Sequence, residues 1–565
     1  MSWAFSVVAS EEEFDLLLAG GSLTTCSSFA PQNCRVNNFT EDDKQQNLYE
    51  FSPAALTRFL QQAQFQSDFQ QIFTQVHAIL LKGYAESTGR SLSRSQFLDA
   101  IVTMGMSNDS IRDLPDPVYF ALLDSHEMEQ RSATGNRKQE RADVLNNANA
   151  NSIAVYQAFV DQAKLRVRDS NSPRIAVITA SSRDPYESAD FYLSAFSSLG
   201  ADVVWLPLDA AYQHALWLQT HGVDGCGQLT KLRAQHNQFD RARIYPLRTA
   251  MQVQYCQQPE LVSDLLGQVH GVFFNGGDQS KTLAAMLTPK GEPSAMLEII
   301  QQRMLNKELV VGGTSAGTAV QAGGFRFQRP VPMLTNGHSR QALVRGAMPL
   351  PAPSQRCLGT CAEQLFSDDL TYLPQGGLGL FTLGLVDTHF SERDREARLL
   401  AFTQASAQRF AFGVDETTAL TVNYQSEQIS LGVIGENGVF VIDRAGSQSF
   451  ENMTTDFALQ QRQLSAITHY LVPGMRLQYS SENNELKLQT VIPQVSERIR
   501  MKALVDGVWR NSTREWCGSQ KRLSWHQPGY QVTIQASEAT RFYVSEKPEY
   551  RQCGYFGLPA VLTSS

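Results

Sequence analysis

The sequence contains no run of eighteen apolar residues, so no segment of it is expected to cross a bilayer as a helix. It also lacks an excess of positive charge: 48 Lys and Arg stand against 56 Asp and Glu, a formal net charge of −8, with the two signs interspersed. Without a basic face, nucleic acid is not an expected partner. There is no internal repeat, no low-complexity tract and no Cys-x-x-Cys pair, which argues against solenoids, disordered linkers and the commonest zinc or dithiol spacings. What remains is an ordinary globular balance, 42% hydrophobic and 18% charged residues. At 565 residues the chain exceeds one typical domain, so a catalytic unit with insertions or appendages is the natural expectation.

The eight cysteines fall into sequence-local pairs: Cys26 with Cys34, Cys226 with Cys256, Cys357 with Cys361 and Cys517 with Cys553. An even count in close pairs reads as disulfides in an oxidising compartment, periplasmic or secreted, in preference to buried free thiols. The first residues, Met1 to Ser10, form a short apolar stretch ending in small residues, with no basic start. This looks like the stub of a signal peptide, or else a leader into the first strand.

Phe14 to Ala19 is a short apolar run ending in Gly20-Gly21, the pattern of a buried parallel strand entering a tight turn. Residues 36–171 are rich in Gln, Asn, Ala and Leu, with helical spacing in Ala55 to Ala63, and are expected to form a mostly helical insertion. From Arg174 onward, short apolar strands alternate with amphipathic segments, at 174–179, 201–206, 269–274, 308–311 and 383–386. This alternation predicts an α/β fold with a parallel sheet covered by helices on both faces. After Asp415 the strands alternate, as in Gln428 to Ile434 and Gly438 to Ile442, and predict antiparallel hairpins at the edge. Residues 491–565 read as a small β-rich appendage behind a catalytic core at 14–35 and 172–490.

Four segments carry chemistry. Val310-Val311 runs into Gly312-Gly313-Thr314-Ser315-Ala316-Gly317, placing Ser315 at a strand-to-helix corner of Gly-x-Ser-x-Gly type. The glycines allow the sharp turn that exposes the hydroxyl, and the Ala316 N–H can donate to an oxyanion, aided by the positive end of the following helix. A glycine-rich turn or an anion-binding loop is the plainer alternative. Phe274-Asn275-Gly276-Gly277-Asp278-Gln279 is a second strand-to-turn site, where Gly277 and Asp278 can offer backbone N–H groups and Gln279 can bind substrate; ordinary turn chemistry would look the same. Asp387-Thr388-His389 opens the third, with His389 as candidate base and Arg393 and Arg395 as carboxylate ligands, unless these arginines pair with Glu392, Asp394 and Glu396 on an exposed helix. The fourth, Val414-Asp415-Glu416-Thr417, supplies Glu416 as the group that orients the imidazole. Histidine precedes acid here, the reverse of the α/β-hydrolase order.

Together these segments resemble the cyanophycinase and aspartyl dipeptidase family of serine peptidases, over roughly residues 14–35 and 172–490. The motifs are Gly-Gly-Asp-Gln at 276–279, Gly-Thr-Ser-Ala-Gly at 313–317, Asp-x-His-Phe-x-x-Arg-x-Arg-x-x-Arg-Leu at 387–399 and Val-Asp-Glu-Thr-Thr-Ala-Leu at 414–420. The resemblance implies a flavodoxin-like fold, similar to class I glutamine amidotransferases. It implies Ser315 as nucleophile, His389 as base and Glu416 as its orienter, and places Gln279, Asp387, Arg393, Arg395 and Arg398 in the substrate pocket. Thr388 stands where the family commonly has a glutamine that helps hold the substrate. No metal or cofactor is implied. The expected activity is hydrolysis of acidic peptides through an acyl-enzyme, with cyanophycin and its β-Asp-Arg linkages as the leading substrate. An α-aspartyl dipeptidase and a catalytically silent binding or envelope module are the alternatives, and a homodimer is an open assembly option.

Overall fold

A computed structural model of the chain describes residues 13–168, 172–326, 329–445, 463–490, 507–546 and 551–564. The stub expected at residues 1–10 lies outside these. Five short apolar strands build the centre: β1 (Leu16–Ala19), β2 (Arg174–Ile178), β3 (Asp202–Leu206), β4 (Gly271–Phe274) and β5 (Val310–Thr314). They pair in the order β1-β5-β4-β2-β3, all parallel. Such strands are covered on both faces, and β1, β4 and β5 are buried at every position. The register sets Gly313 of β5 beside Leu18 of β1 and Phe274 of β4. The turns that follow these three strands therefore emerge together at one carboxyl edge.

Beyond β1 the sheet continues antiparallel through Thr418–Tyr424, Gln428–Gly435, Arg476–Ser480 and Glu485–Leu488, nine strands in all. A second sheet of eight strands runs from Leu385–Asp387 through Phe410–Val414, Val439–Asp443, Gln463–Leu471, Arg551–Ser564 and Tyr530–Gln535 to Arg522–Gln527, with Arg541–Glu546 also against Arg551–Ser564. The strands expected as antiparallel hairpins after Asp415 are antiparallel but divide between two sheets: Gln428–Gly435 pairs with Thr418–Tyr424, whereas Val439–Asp443 pairs with Phe410–Val414. Period-two patterning marks a strand but does not name its partner. For the same reason the C-terminal strands, read as an appendage, are woven into the sheet that carries Leu385–Asp387.

The region before β2 also differs from a pure insertion. Helices Pro53–Gln62, Gln70–Ser87, Arg94–Thr103 and Asp116–His126 gather around their own core of Phe51, Phe59, Phe73 and Phe97. The last helix, Ala150–Leu165, instead packs on the parallel sheet, where Phe159 shares an apolar cluster with Phe273 and Val310. Gly312 of β5 leaves the room it needs, since a Cβ there would stand 2.8 Å from the Phe159 ring. All four local cysteine pairs form disulfides. Among the described residues no helix is long and apolar enough to cross a membrane.

Candidate active site

Where β5 ends, the chain turns through Ser315 at φ 53° and ψ −115°, a conformation costly for any residue with a Cβ. Two glycines make the turn possible. A Cβ on Gly313 would lie 2.3 Å from the Gly317 carbonyl oxygen, and one on Gly317 would lie 2.2 Å from that of Phe274. The elbow is thus closed against the end of β4. It is tied to β1 as well: Ser315 N–H donates to the Ala19 carbonyl at 3.0 Å, and the Thr318 hydroxyl donates to the same oxygen at 2.7 Å. The helix behind it is a single turn, Ala316–Ala319.

The strand Leu385–Asp387 delivers His389 from the second sheet, with its N–H donating to the Gly20 carbonyl at 2.8 Å. Its Nε2 lies 2.7 Å from Ser315 Oγ, and its Nδ1 lies 2.5 Å from Glu416 Oε1. A carboxylate facing Nδ1 fixes the proton there, which leaves Nε2 to accept from the serine hydroxyl. Burial lowers the pKa of His389, with the Glu416 hydrogen bond pulling the other way, so the imidazole is neutral at pH 7. The hydrogen bond from His389 holds the Glu416 carboxyl below its ordinary range. Gly21, at φ 110°, lies against the imidazole: a Cβ there would stand 2.4 Å from His389 Cε1.

The loop after β4 stands beside the serine, where a Cβ on Gly276 would be 3.5 Å from Ser315 Cβ. The N–H groups of Gly277 and Ala316 make no hydrogen bond among the described residues, so both are available to an oxyanion. Asp278 is not. Its N–H donates to the Ser181 carbonyl at 2.8 Å, and its carboxylate accepts from Ser280 N–H at 2.9 Å, capping the helix Gln279–Met286. From Gly277 and Gln279 a cleft of about 910 Å³ opens between the core and the helical region, with Arg94, Lys281 and Asp368 among its walls. The Gln279 side chain reaches this cleft with its amide nitrogen bound to the Leu334 and Thr335 carbonyls. The Lys281 ammonium makes no hydrogen bond or ion pair among the described residues, and burial lowers its pKa.

The arginines divide. Arg398 is buried and grips Asp387 with two hydrogen bonds, Nε to Oδ2 at 2.8 Å and Nη2 to Oδ1 at 2.5 Å. Burial alone would raise the Asp387 carboxyl, but Arg398 and then Arg395 hold it below its ordinary range. Asp387 and Arg398, expected in the substrate pocket, are thus buried and bonded to each other. Thr388 is also buried, and its carbonyl accepts from Arg395 Nη1 at 2.5 Å. Burial, followed by repulsion from Arg398, lowers the pKa of Arg395 to about 9. Arg393 alone is exposed, with a guanidinium free of any ion pair or hydrogen bond among the described residues, while close enough to His389 and Glu416 to lower both. The continuous helix that would align these arginines is absent. A single turn Ser391–Arg393 and a left-handed Asp394 precede the helix Glu396–Ala405.

The motifs did not disclose Gly21 or the residues beneath Glu416. The Glu392 carboxylate accepts the Glu416 backbone N–H at 3.0 Å and meets Arg510 from the C-terminal helix Val508–Trp516. The Gly20-Gly21 turn after β1 was visible, but its meeting with residue 389 is a long-range contact that spacing does not encode. Among the described residues, no group of three His, Cys, Asp or Glu is arranged to hold a metal ion.

No family model matches the chain. Among curated proteins it is similar to a cyanophycinase of Geminocystis herdmanii, 26% identical over 274 residues that cover 48% of this chain and 69% of that protein. It is similar also to a cyanophycinase of Trichormus variabilis, 27% identical over 173 residues that cover 31% of this chain and 45% of the relative. The chain thus spans a little over two thirds of one relative and less than half of the other. A solved structure described as a peptidase from an acI-B1 actinobacterium overlaps 51% of this chain and 82% of its own, at 14% identity and a TM-score of 0.28, too loose a likeness to bear on the fold.

Proposed function

We propose that this chain, a relative of the cyanophycinases, is a serine exopeptidase on a flavodoxin-like, class I glutamine amidotransferase-like core. The observation that carries the reading is the unbroken line of hydrogen bonds from Ser315 Oγ through the His389 imidazole to the Glu416 carboxylate. In the proposed reaction the Ser315 oxygen attacks the substrate carbonyl while its proton passes to His389 Nε2, and Glu416 stabilises the imidazolium that forms. The tetrahedral oxyanion is received by the N–H groups of Gly277 and Ala316. His389 then returns the proton to the leaving amine, and a water molecule hydrolyses the acyl-enzyme by the same steps in reverse order. No cofactor enters this scheme.

The substrate class proposed is an acidic peptide, and most specifically the β-Asp-Arg repeats of cyanophycin. Arg393 stands uncommitted beside His389, and the neighbouring cleft is open and charged, which suits a polymer with carboxylate and guanidinium side groups better than a closed dipeptide pocket. Four disulfides favour a periplasmic or secreted enzyme, in which case protein isolated from its host shows few or no thiols before reduction.

The test has two stages. A fluorophosphonate should label the native protein at Ser315, and no labelling would refute the nucleophile and return the chain to a silent binding module. Cyanophycin, β-Asp-Arg and a panel of α-aspartyl dipeptides should then be assayed in parallel. Release of β-Asp-Arg from polymer is the expected result, whereas turnover of the α-aspartyl dipeptides alone would replace the cyanophycin reading with an aspartyl dipeptidase.

A further inference from the structure

We propose that Arg510, brought in by the C-terminal region, is a positioning residue for the Glu416–His389 pair and acts through Glu392; the inference rests on the serine-peptidase reading above. Three observations support it. Two carboxylates, Glu392 and Asp415, sit side by side beneath the site, with Asp415 fully buried and the Glu392 side chain 13% exposed. Like charges so placed cannot both stay ionised unless a cation joins them. The Arg510 guanidinium is that cation: its Nη1 contacts Glu392 Oε1 closely and lies 3.0 Å from Asp415 Oδ2, in a side chain only 2% exposed.

Each carboxylate in turn fixes backbone that carries the reaction. Glu392 Oε2 accepts the Glu416 N–H at 3.0 Å. Asp415 Oδ1 accepts the Ser391 N–H at 2.9 Å, two residues beyond His389, and its Oδ2 accepts the Tyr470 hydroxyl at 2.6 Å. Burial raises Glu392, the Asp415 charge raises it further, and Arg510 opposes both while leaving it raised to about 7. The other charged or titratable groups facing this cluster are Glu396, Asp394 and Arg514, together with Tyr470 and Tyr555, which burial keeps neutral.

The third observation is how firmly Arg510 is delivered. The helix Val508–Trp516 starts on the turn after His389, where Val508 N–H donates to Asp394 Oδ1 at 2.7 Å. A Cβ on Gly507 would meet the Ser391 carbonyl oxygen at 2.8 Å. The helix ends at Cys517, whose disulfide to Cys553 ties it to the strand Arg551–Ser564. The C-terminal region therefore holds both limbs of the site, the His389 turn and the Asp415–Glu416 turn, from behind.

The experiment follows phosphonylation of Ser315 by a fluorophosphonate, with loss of fluoride, as a function of pH in the full chain, separating the maximal phosphonylation rate from the concentration that half-saturates it. Variants are Arg510→Met, Arg510→Lys, the double variant Arg510→Met/Glu392→Gln, and Glu392→Ala against Glu392→Gln. In Arg510→Met the maximal rate should fall about tenfold or more with half-saturation unchanged. Its acid limb should also move to higher pH, because Glu392 without its cation releases its proton only there. Replacing Glu392 by Gln in the same chain removes the titrating group and should return the limb to its wild-type position. Arg510→Lys should recover part of the rate, and Glu392→Ala, which deletes the acceptor of the Glu416 N–H, should lose more than Glu392→Gln. A folded Arg510→Met with wild-type rate and pH limb, or a double variant with no restoration, would overturn the proposal. If Arg510→Met does not fold, equal rates for Glu392→Ala and Glu392→Gln overturn it. Failure of the wild-type chain to label at Ser315 would instead strike the reading beneath it.

Discussion

Ser315 and His389 come from two sheets that hold their residues in different ways. On the Ser315 side the turn is set within residues 312–317 and by the ends of the two neighbouring strands, chiefly through the absence of side chains at Gly313 and Gly317. On the His389 and Glu416 side the turns are held by buried charge, Asp387 with Arg398 and Asp415 and Glu392 with Arg510, and one of those partners lies 118 residues away. A steric elbow tolerates no enlargement but needs no counter-ion. An electrostatic scaffold tolerates shape changes so long as each buried charge keeps its counter-ion. Substitutions in the two halves should therefore fail in different ways.

The largest effect expected is in the elbow. Ser315→Ala removes the attacking oxygen without opening a cavity, so hydrolysis should drop by about 10³-fold or more with the thermal midpoint unchanged. Near-full activity in a folded Ser315→Ala protein would place the nucleophile elsewhere.

Next is Glu416→Gln, which tests the charged half. His389 must be neutral to accept the serine proton, and burial lowers its pKa below the usual 6.5. The His389 limb of kcat/KM in the wild-type protein should therefore rise with pH through a midpoint below 6.5. Glu416 opposes that lowering, so Glu416→Gln should move the midpoint further down. It should also cut the plateau by on the order of 10²- to 10³-fold, because the imidazolium loses its partner. A wild-type midpoint above 7 would contradict the burial of the imidazole.

Gly21→Ala then probes the seam between the halves. At φ 110° and with its Cβ 2.4 Å from His389 Cε1, an alanine must push the imidazole away. A displacement of about 1 Å commonly costs on the order of 10²-fold in rate. Assays of kcat with circular dichroism as a fold control would show it, and unchanged turnover would mean that the seam yields.

The same contrast explains what was legible beforehand. Ser315, Gly277 and Ala316 could be read from their turns because a strand-to-glycine corner is a local pattern. His389 and Glu416 are candidates by residue type and by the company of the other segments, since nothing in the spacing of residues 387–399 shows that the imidazole meets β1 and β5. That Asp387 and Arg398 are buried against each other was not legible, because a motif records which residues recur together and does not say which of them pair. Arg510 carried no signal at all: a lone arginine in a segment read as an appendage gains meaning only when the second sheet brings it under Glu392. The strands of the parallel core were placed by their apolar runs, while the division of the later strands between two sheets depends on pairings that period-two alternation does not specify.

The smallest expected effect is the sharpest division between the arginines. Arg393 is exposed and uncommitted; Arg398 is buried with both Asp387 oxygens in its grip. Lysine keeps the charge at either place but cannot reproduce the guanidinium fork. At position 398 the loss falls on folding: a buried pair reduced to a single poorly aligned contact should cost about 3 kcal/mol of stability, visible as a lower denaturation midpoint. At position 393 nothing in the folded protein depends on the fork, so stability should be unchanged. If the guanidinium receives a substrate carboxylate, one charge-assisted pair is lost in the complex, about 1.5–3 kcal/mol, or roughly a 10- to 100-fold fall in kcat/KM on acidic peptides. Neutral peptides of the same length should show no such fall. Equal kcat/KM on acidic peptides for wild type and Arg393→Lys would leave the exposed arginine a solvated surface charge and remove the chief chemical support for an acidic substrate.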